Sequence, residues 1–215
     1  MSFLRPDSEF MNAVSKCADY VILNLLCLLC CIPVITTGAA LTAKYYVSMK
    51  LVRGEEPAVT KAFFKAFRKN FRQATVMWMI QMVMIAILAM DWYLVKKAPE
   101  GTIHPAFSVF LTVLTILVAG IIFCVFPMLA RFYISTKDAI KGACIFTLMK
   151  LPRVLLELVA TVAAGIICFW YMRWLPAIWV FCTGVMLYFN SRMFVKEFEK
   201  IEHRNGEQTQ NEQEV

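Results

Sequence analysis

Five stretches of 19 to 24 residues, 20–43, 74–95, 106–129, 154–172 and 175–194, hold only three charged side chains between them, Asp91, Glu157 and Arg192. A helix needs about 20 consecutive apolar residues to cross the hydrocarbon layer of a bilayer, so each stretch is long enough to span one. The last two cannot be a single span, because about 40 residues of helix would be twice the bilayer thickness. Arg173, Trp174 and Pro176 between them favour a tight hairpin.

Composition points the same way. Of 215 residues, 60% are hydrophobic and 17% charged, and the mean hydropathy is +0.64. A soluble domain carries about 25% charged residues, and this surplus of apolar side chains needs lipid to face. The expected fold class is all-α: a polytopic membrane helical bundle of about five transmembrane helices plus one basic amphipathic interfacial helix. Residues 1–202 form one integral membrane domain, with no room for a sizeable soluble one. The polar residues 203–215 are expected to form a disordered cytoplasmic tail.

The net charge of +7 reads as a topology signal rather than as a nucleic-acid signal. Seventeen Lys and Arg lie in the connections 44–72 and 131–153 and from Arg192 onward, against five before the first span, at Lys96 and Lys97, and at Arg173. Alternate connections share a side, so the positive-inside rule places the N-terminus outside and the C-terminus in the cytoplasm.

The most informative connection is residues 57–73. Pro57 suits a first helical position and Gly54 breaks whatever precedes it. At about 100° per residue, Phe63, Phe64, Phe67 and Phe71 share one arc. Lys61, Lys65, Arg68, Lys69 and Arg72 occupy another. One reading is an anchor on the anionic inner leaflet, with the phenylalanines sunk into the acyl boundary. The other is a docking surface for a partner. Both want one apolar and one basic face.

Within the spans, Pro33 removes a helical hydrogen bond, and with Gly38 it marks a kink or break. Broken helices line substrate sites in some transporters, although Pro and Gly are also common in ordinary membrane helices. Gln81 suits hydrogen bonding across helices. Glu157 is a candidate for ion coupling, set against a plain i, i+4 ion pair with Arg153 at the membrane boundary. Cys27, Cys30 and Cys31 have no second pair or nearby histidine and read as small hydrophobes. There is no phosphate-binding glycine loop, no nucleophile elbow and no metal-ligand spacing, so the chain is not expected to be an enzyme, and no cofactor or metal is expected. A weak internal repeat pairs Lys44-Tyr45-Tyr46 with Arg131-Phe132-Tyr133, and Lys69-x-x-Arg72 with Lys150-x-x-Arg153.

Four segments together resemble the YesL-like integral membrane proteins of Bacillus and related bacteria. They are Asn24 with Ile32-Pro33-Val34-Ile35-Thr36-Thr37-Gly38-Ala39-Ala40, then Ala43-Lys44-Tyr45-Tyr46, Leu51-Val52-Arg53-Gly54-Glu55, and the run from Phe63 to Ala74. The resemblance covers roughly the first 80 residues. It implies a bacterial plasma-membrane protein encoded near sugar-binding ABC transport components, with no established catalytic or ligand residues. The expectation is therefore an accessory or assembly factor in oligosaccharide uptake, contacting membrane lipid and a carbohydrate ABC transporter permease. The alternative is a small homo-oligomeric transporter or channel.

Overall fold

The computed structural model describes residues 9–55, 57–99, 104–132, 135–171 and 176–213. The elements are α1 (Glu9–Cys31), a short 3-10 turn (Val34–Thr36), α2 (Thr37–Val52), α3 (Val59–Lys97), α4 (Pro105–Arg131), α5 (Thr136–Met149), α6 (Leu151–Tyr171) and α7 (Pro176–Gln213). No strand occurs among the described residues. Among the described residues, three helices are long and apolar enough to cross a membrane: α1 over Val14–Cys31, α3 and α4. The expected spans 154–172 and 175–194 fall on α6 and the front of α7, and their connection, 172–175, lies outside the described residues.

The first apolar run is not one helix over 20–43. Pro33 ends it, and α2 returns antiparallel to α1, so that Ser48 near the end of α2 donates to the Tyr20 hydroxyl of α1 at 3.4 Å. Proline has no N–H and disfavours helix in the residue before it, which freed the chain to turn here. The Thr36 hydroxyl closes the break, within reach of the Cys30 carbonyl at 2.5 Å and the Pro33 carbonyl at 2.7 Å. Small residues then let the backbones approach: Ala40 and Ala43 are fully buried between Tyr20, Leu23 and Cys27 on one side and Phe63 and Ala66 of α3 on the other.

Gly38 fixes how closely α2 meets α3. A Cβ there would fall on the Ala74 carbonyl oxygen and come within 2.8 Å of the Trp78 Cβ. Gly54, with φ of +77°, turns the chain from α2 toward α3 in the left-handed region.

The basic segment 57–73 is not a separate interfacial helix. From Val59 it is continuous with the span that follows, forming the 39-residue α3. Nothing between Arg72 and Ala74 breaks a helix, so the basic and apolar parts share one rod. α4 runs back along α3, joined by Trp92 Nε1 donating to Thr115 Oγ1 at 3.0 Å and Gln81 Nε2 donating to the Ile122 carbonyl at 3.4 Å.

The second basic connection folds too. Ser135 caps α5 by accepting from the Asp138 backbone N–H at 3.3 Å. Ala139, Ala143 and Phe146, at i, i+4 and i+7, bury one face of α5 in a core shared with Cys124, Met128, Val154, Phe194 and Phe198. Both basic connections thus become helices packed against the helix before them. They differ at the junction: Pro152 separates α5 from α6, whereas α3 runs unbroken. The tail expected to be disordered continues as α7 to Gln213, because α7 enters this region as an established helix and Glu, Gln and Arg extend it at little cost. Residues 214–215 lie outside the described residues.

Candidate functional site

The first four turns of α3 present two faces of opposite character. Phe63 is fully buried in the core made with α1 and α2, and Phe67 and Phe71 are half-buried behind it. Their rings form a ladder, with centroids 6.1 Å apart for Phe63 and Phe67 and 5.5 Å apart for Phe67 and Phe71. The apolar arc read from the sequence therefore meets protein, not the acyl boundary. Only Phe64 of the four is exposed.

Lys61, Lys65, Arg68, Lys69 and Arg72 face outward. With Thr60 and Phe64, the first four line an open groove of about 820 Å³. Because the phenylalanine ladder packs against the α1–α2 hairpin and Leu129 of α4, the basic face is set outward at the base of a long membrane helix.

The four residues proposed for a kink or pathway do not converge. Pro33 and Gly38 shape the hairpin and its seat on α3. Gln81 is buried between α3 and α4. Glu157 lines a separate groove between α6 and α7.

The expected Arg153–Glu157 ion pair is not formed. Arg153 and Lys150 instead bind Glu197 of α7, Lys150 at 3.0 Å and Arg153 more closely, with Lys200 at 3.9 Å. Glu197 is buried, so its charge demands these partners. The sequence does not point to Glu197 as the partner, because Arg153 lies 44 residues away and the one local contact, Lys200 at i+3, is loose at 3.9 Å. One signal was available: Glu197 shares a helical face with Phe194 and Phe198, both fully buried.

A second set of ion pairs ties the end of the hairpin together. Lys50 and Arg53 reach Glu55 at 2.7 and 3.2 Å, and beside them Arg131 forks onto Glu202 of α7 at 2.8 and 3.1 Å. The hydrogen bond from Lys50 holds the Glu55 carboxyl below the usual carboxylate range. The thiols of Cys27 and Cys31 lie 3.9 Å apart, one helical turn from each other. Among the described residues no three His, Cys, Asp or Glu side chains come together as a metal site.

Residues 20–92 match the model of a family described as "Protein of unknown function, DUF624". The match covers α2, most of α3 and the part of α1 that pairs with them. Among curated proteins and among solved structures, nothing matches the chain.

Proposed function

We propose that this chain is a non-enzymatic, multi-pass protein of the bacterial plasma membrane that docks onto a partner in oligosaccharide uptake, an ABC transporter permease. The observation that carries the docking role is the burial of Phe63 beneath an exposed row of Lys61, Lys65, Arg68 and Lys69. A helix that only floats on lipid keeps its phenylalanines for the acyl chains. Here they are spent on the α1–α2 hairpin, and the basic face is left as a fixed surface complementary to an acidic one. The sugar-uptake setting rests on the resemblance of the first 80 residues to the YesL-like proteins. The dispersal of Pro33, Gly38, Gln81 and Glu157 gives an autonomous transport path no support.

We further propose a different orientation from the one expected: with the hairpin returning the chain to the side where α1 begins, α3, α4, α6 and α7 would supply an even number of crossings and place both termini in the cytoplasm. The Lys and Arg asymmetry then sharpens from seventeen against five to nineteen against three.

Copurification tests the docking role. Tagged protein extracted from crosslinked native membranes is expected to bring down a carbohydrate permease, and Lys65→Glu with Arg68→Glu to lose it while the protein still inserts. Recovery of the chain alone from wild-type membranes would contradict the proposal.

A further inference from the structure

The groove between α6 and α7 has a polarity gradient that the docking role leaves unused. It is an open groove of about 630 Å³, within the roughly 300–1,000 Å³ of ligand sites. Along α7, Phe189, Arg192, Lys196 and Lys200 recur at intervals of 3, 4 and 4 residues, so they share one face of the helix. Lys200 approaches Glu197 at 3.9 Å. Arg192 and Lys196 are exposed and have no acidic partner within 4 Å among the described residues. Stacked like charges one turn apart repel, so this column favours an anion from outside the chain.

The other end of the groove is mostly hydrocarbon, with Glu157 as its one charged lining residue. Phe189 is 58% exposed and Leu156 is 68% exposed. From Leu156 the apolar edge continues along α6 through Val159, Val162 and Ile166, all more than half exposed. Such a stripe is stable when lipid chains cover it. Cations at one end and exposed apolar side chains at the other match the two ends of a phospholipid.

We infer that the α6–α7 groove holds an anionic phospholipid, its phosphate between Arg192 and Lys196 and an acyl chain along Phe189, Leu156 and Val159. Arg153 faces the groove but is engaged by Glu197, so Arg192 and Lys196 supply the recognition. Glu157 subtracts one charge and leaves the groove net cationic, with Arg153, Arg192, Lys196 and Lys200 against Glu157 and Glu197. A zwitterionic lipid with the same chains would fill the apolar end without satisfying the cations.

The test is native mass spectrometry of the full chain in mild detergent, titrated with phosphatidylglycerol and with phosphatidylcholine of identical chains. The wild-type protein should retain phosphatidylglycerol preferentially. Each basic contact contributes about fivefold, so Arg192→Gln with Lys196→Gln should lower that preference roughly thirtyfold. The charge-keeping pair Arg192→Lys and Lys196→Arg should preserve it, which separates charge recognition from misfolding. Lys61→Gln with Lys65→Gln, on the α3 face, should also preserve it. Equal retention of both lipids by the wild type would overturn the inference, and so would a preference that survives the groove substitutions or disappears with the α3 ones. Displacement of the bound lipid by millimolar glycerol 3-phosphate would assign the groove to a soluble phosphate instead.

Discussion

Arg153 and Glu197 lie 44 residues apart and join the start of α6 to the middle of α7 through a salt bridge whose carboxylate is buried. Lys150, the residue between α5 and α6, binds the other oxygen of the same carboxylate at 3.0 Å. One buried charge thus gathers three helices. Replacing both Lys150 and Arg153 by Met leaves that charge only the looser contact with Lys200 at 3.9 Å, which costs up to about 3–5 kcal/mol. Either single replacement leaves one close counterion as well as Lys200 and should cost far less. A double-mutant cycle by thermal unfolding in detergent is expected to be strongly non-additive, and simple additivity would contradict the shared-carboxylate arrangement.

Glu157 should behave differently, because its expected partner is taken. Glu157→Gln is expected to shift unfolding stability by no more than about 0.5 kcal/mol, because the half-buried carboxyl has no ion pair among the described residues to lose. It should also raise retention of anionic lipid, by removing a negative charge from the groove. A loss of stability comparable to that of the stranded Glu197 would show that Glu157 carries an ion pair after all.

Close packing of α2 on α3 makes Gly38 sensitive to size. Gly38→Ala must push the added methyl against the Ala74 backbone, and overpacking of this kind costs about 1–3 kcal/mol. Gly165 of α6 has nothing within 4 Å of an added Cβ, so Gly165→Ala is the matched control. It should be neutral or stabilising by up to about 1 kcal/mol, as expected of a helix-interior glycine. Comparable losses at both positions would remove the steric account.

The Lys50–Glu55 pair sets an acid limit on the hairpin's exit loop. The folded carboxyl titrates below its unfolded value, so the pair's contribution is complete above the ordinary carboxylate pKa of about 4.3 and is lost as pH falls through the depressed value. Backbone hydrogen exchange at residues 53–55, corrected for intrinsic rates, should therefore accelerate on that acid side. Glu55→Gln should exchange faster at neutral pH and show no such step.

If α1 and α2 form a hairpin, the chain before Tyr20 and the loop after Val52 share one side of the membrane. In a cysteine-free background, Asn12→Cys, ahead of the apolar stretch of α1, and Glu55→Cys are expected to react alike with an impermeant thiol reagent, both in inverted vesicles and neither in right-side-out ones. Labelling of the two positions from opposite sides would restore a single first span.

The helical membrane class was legible because apolar run length alone decides it, and the break at Pro33 because proline acts locally. The direction of the chain after that break was not legible, since it depends on Ala40 and Ala43 meeting α1 and Phe63. An amphipathic helix looks the same whether its Phe63 face meets lipid or protein, so the sequence left both readings of residues 57–73 open. The fold of α5 was written in the spacing of Ala139, Ala143 and Phe146, but its lysines masked it as a loop. The partner of Arg153 was beyond reach, because Glu157 was the nearer acid and only tertiary packing brings Glu197 to it.

The docking claim is tested most directly by a photoreactive residue in place of Lys65, activated in native membranes during growth on plant-type oligosaccharides. Crosslinks from position 65 to a carbohydrate permease, absent from the same residue placed at Val159 on the lipid-facing stripe of α6, are the predicted result. Adducts from position 65 to lipid alone, or only to other copies of this chain, would contradict a protein-docking role for the basic face of α3.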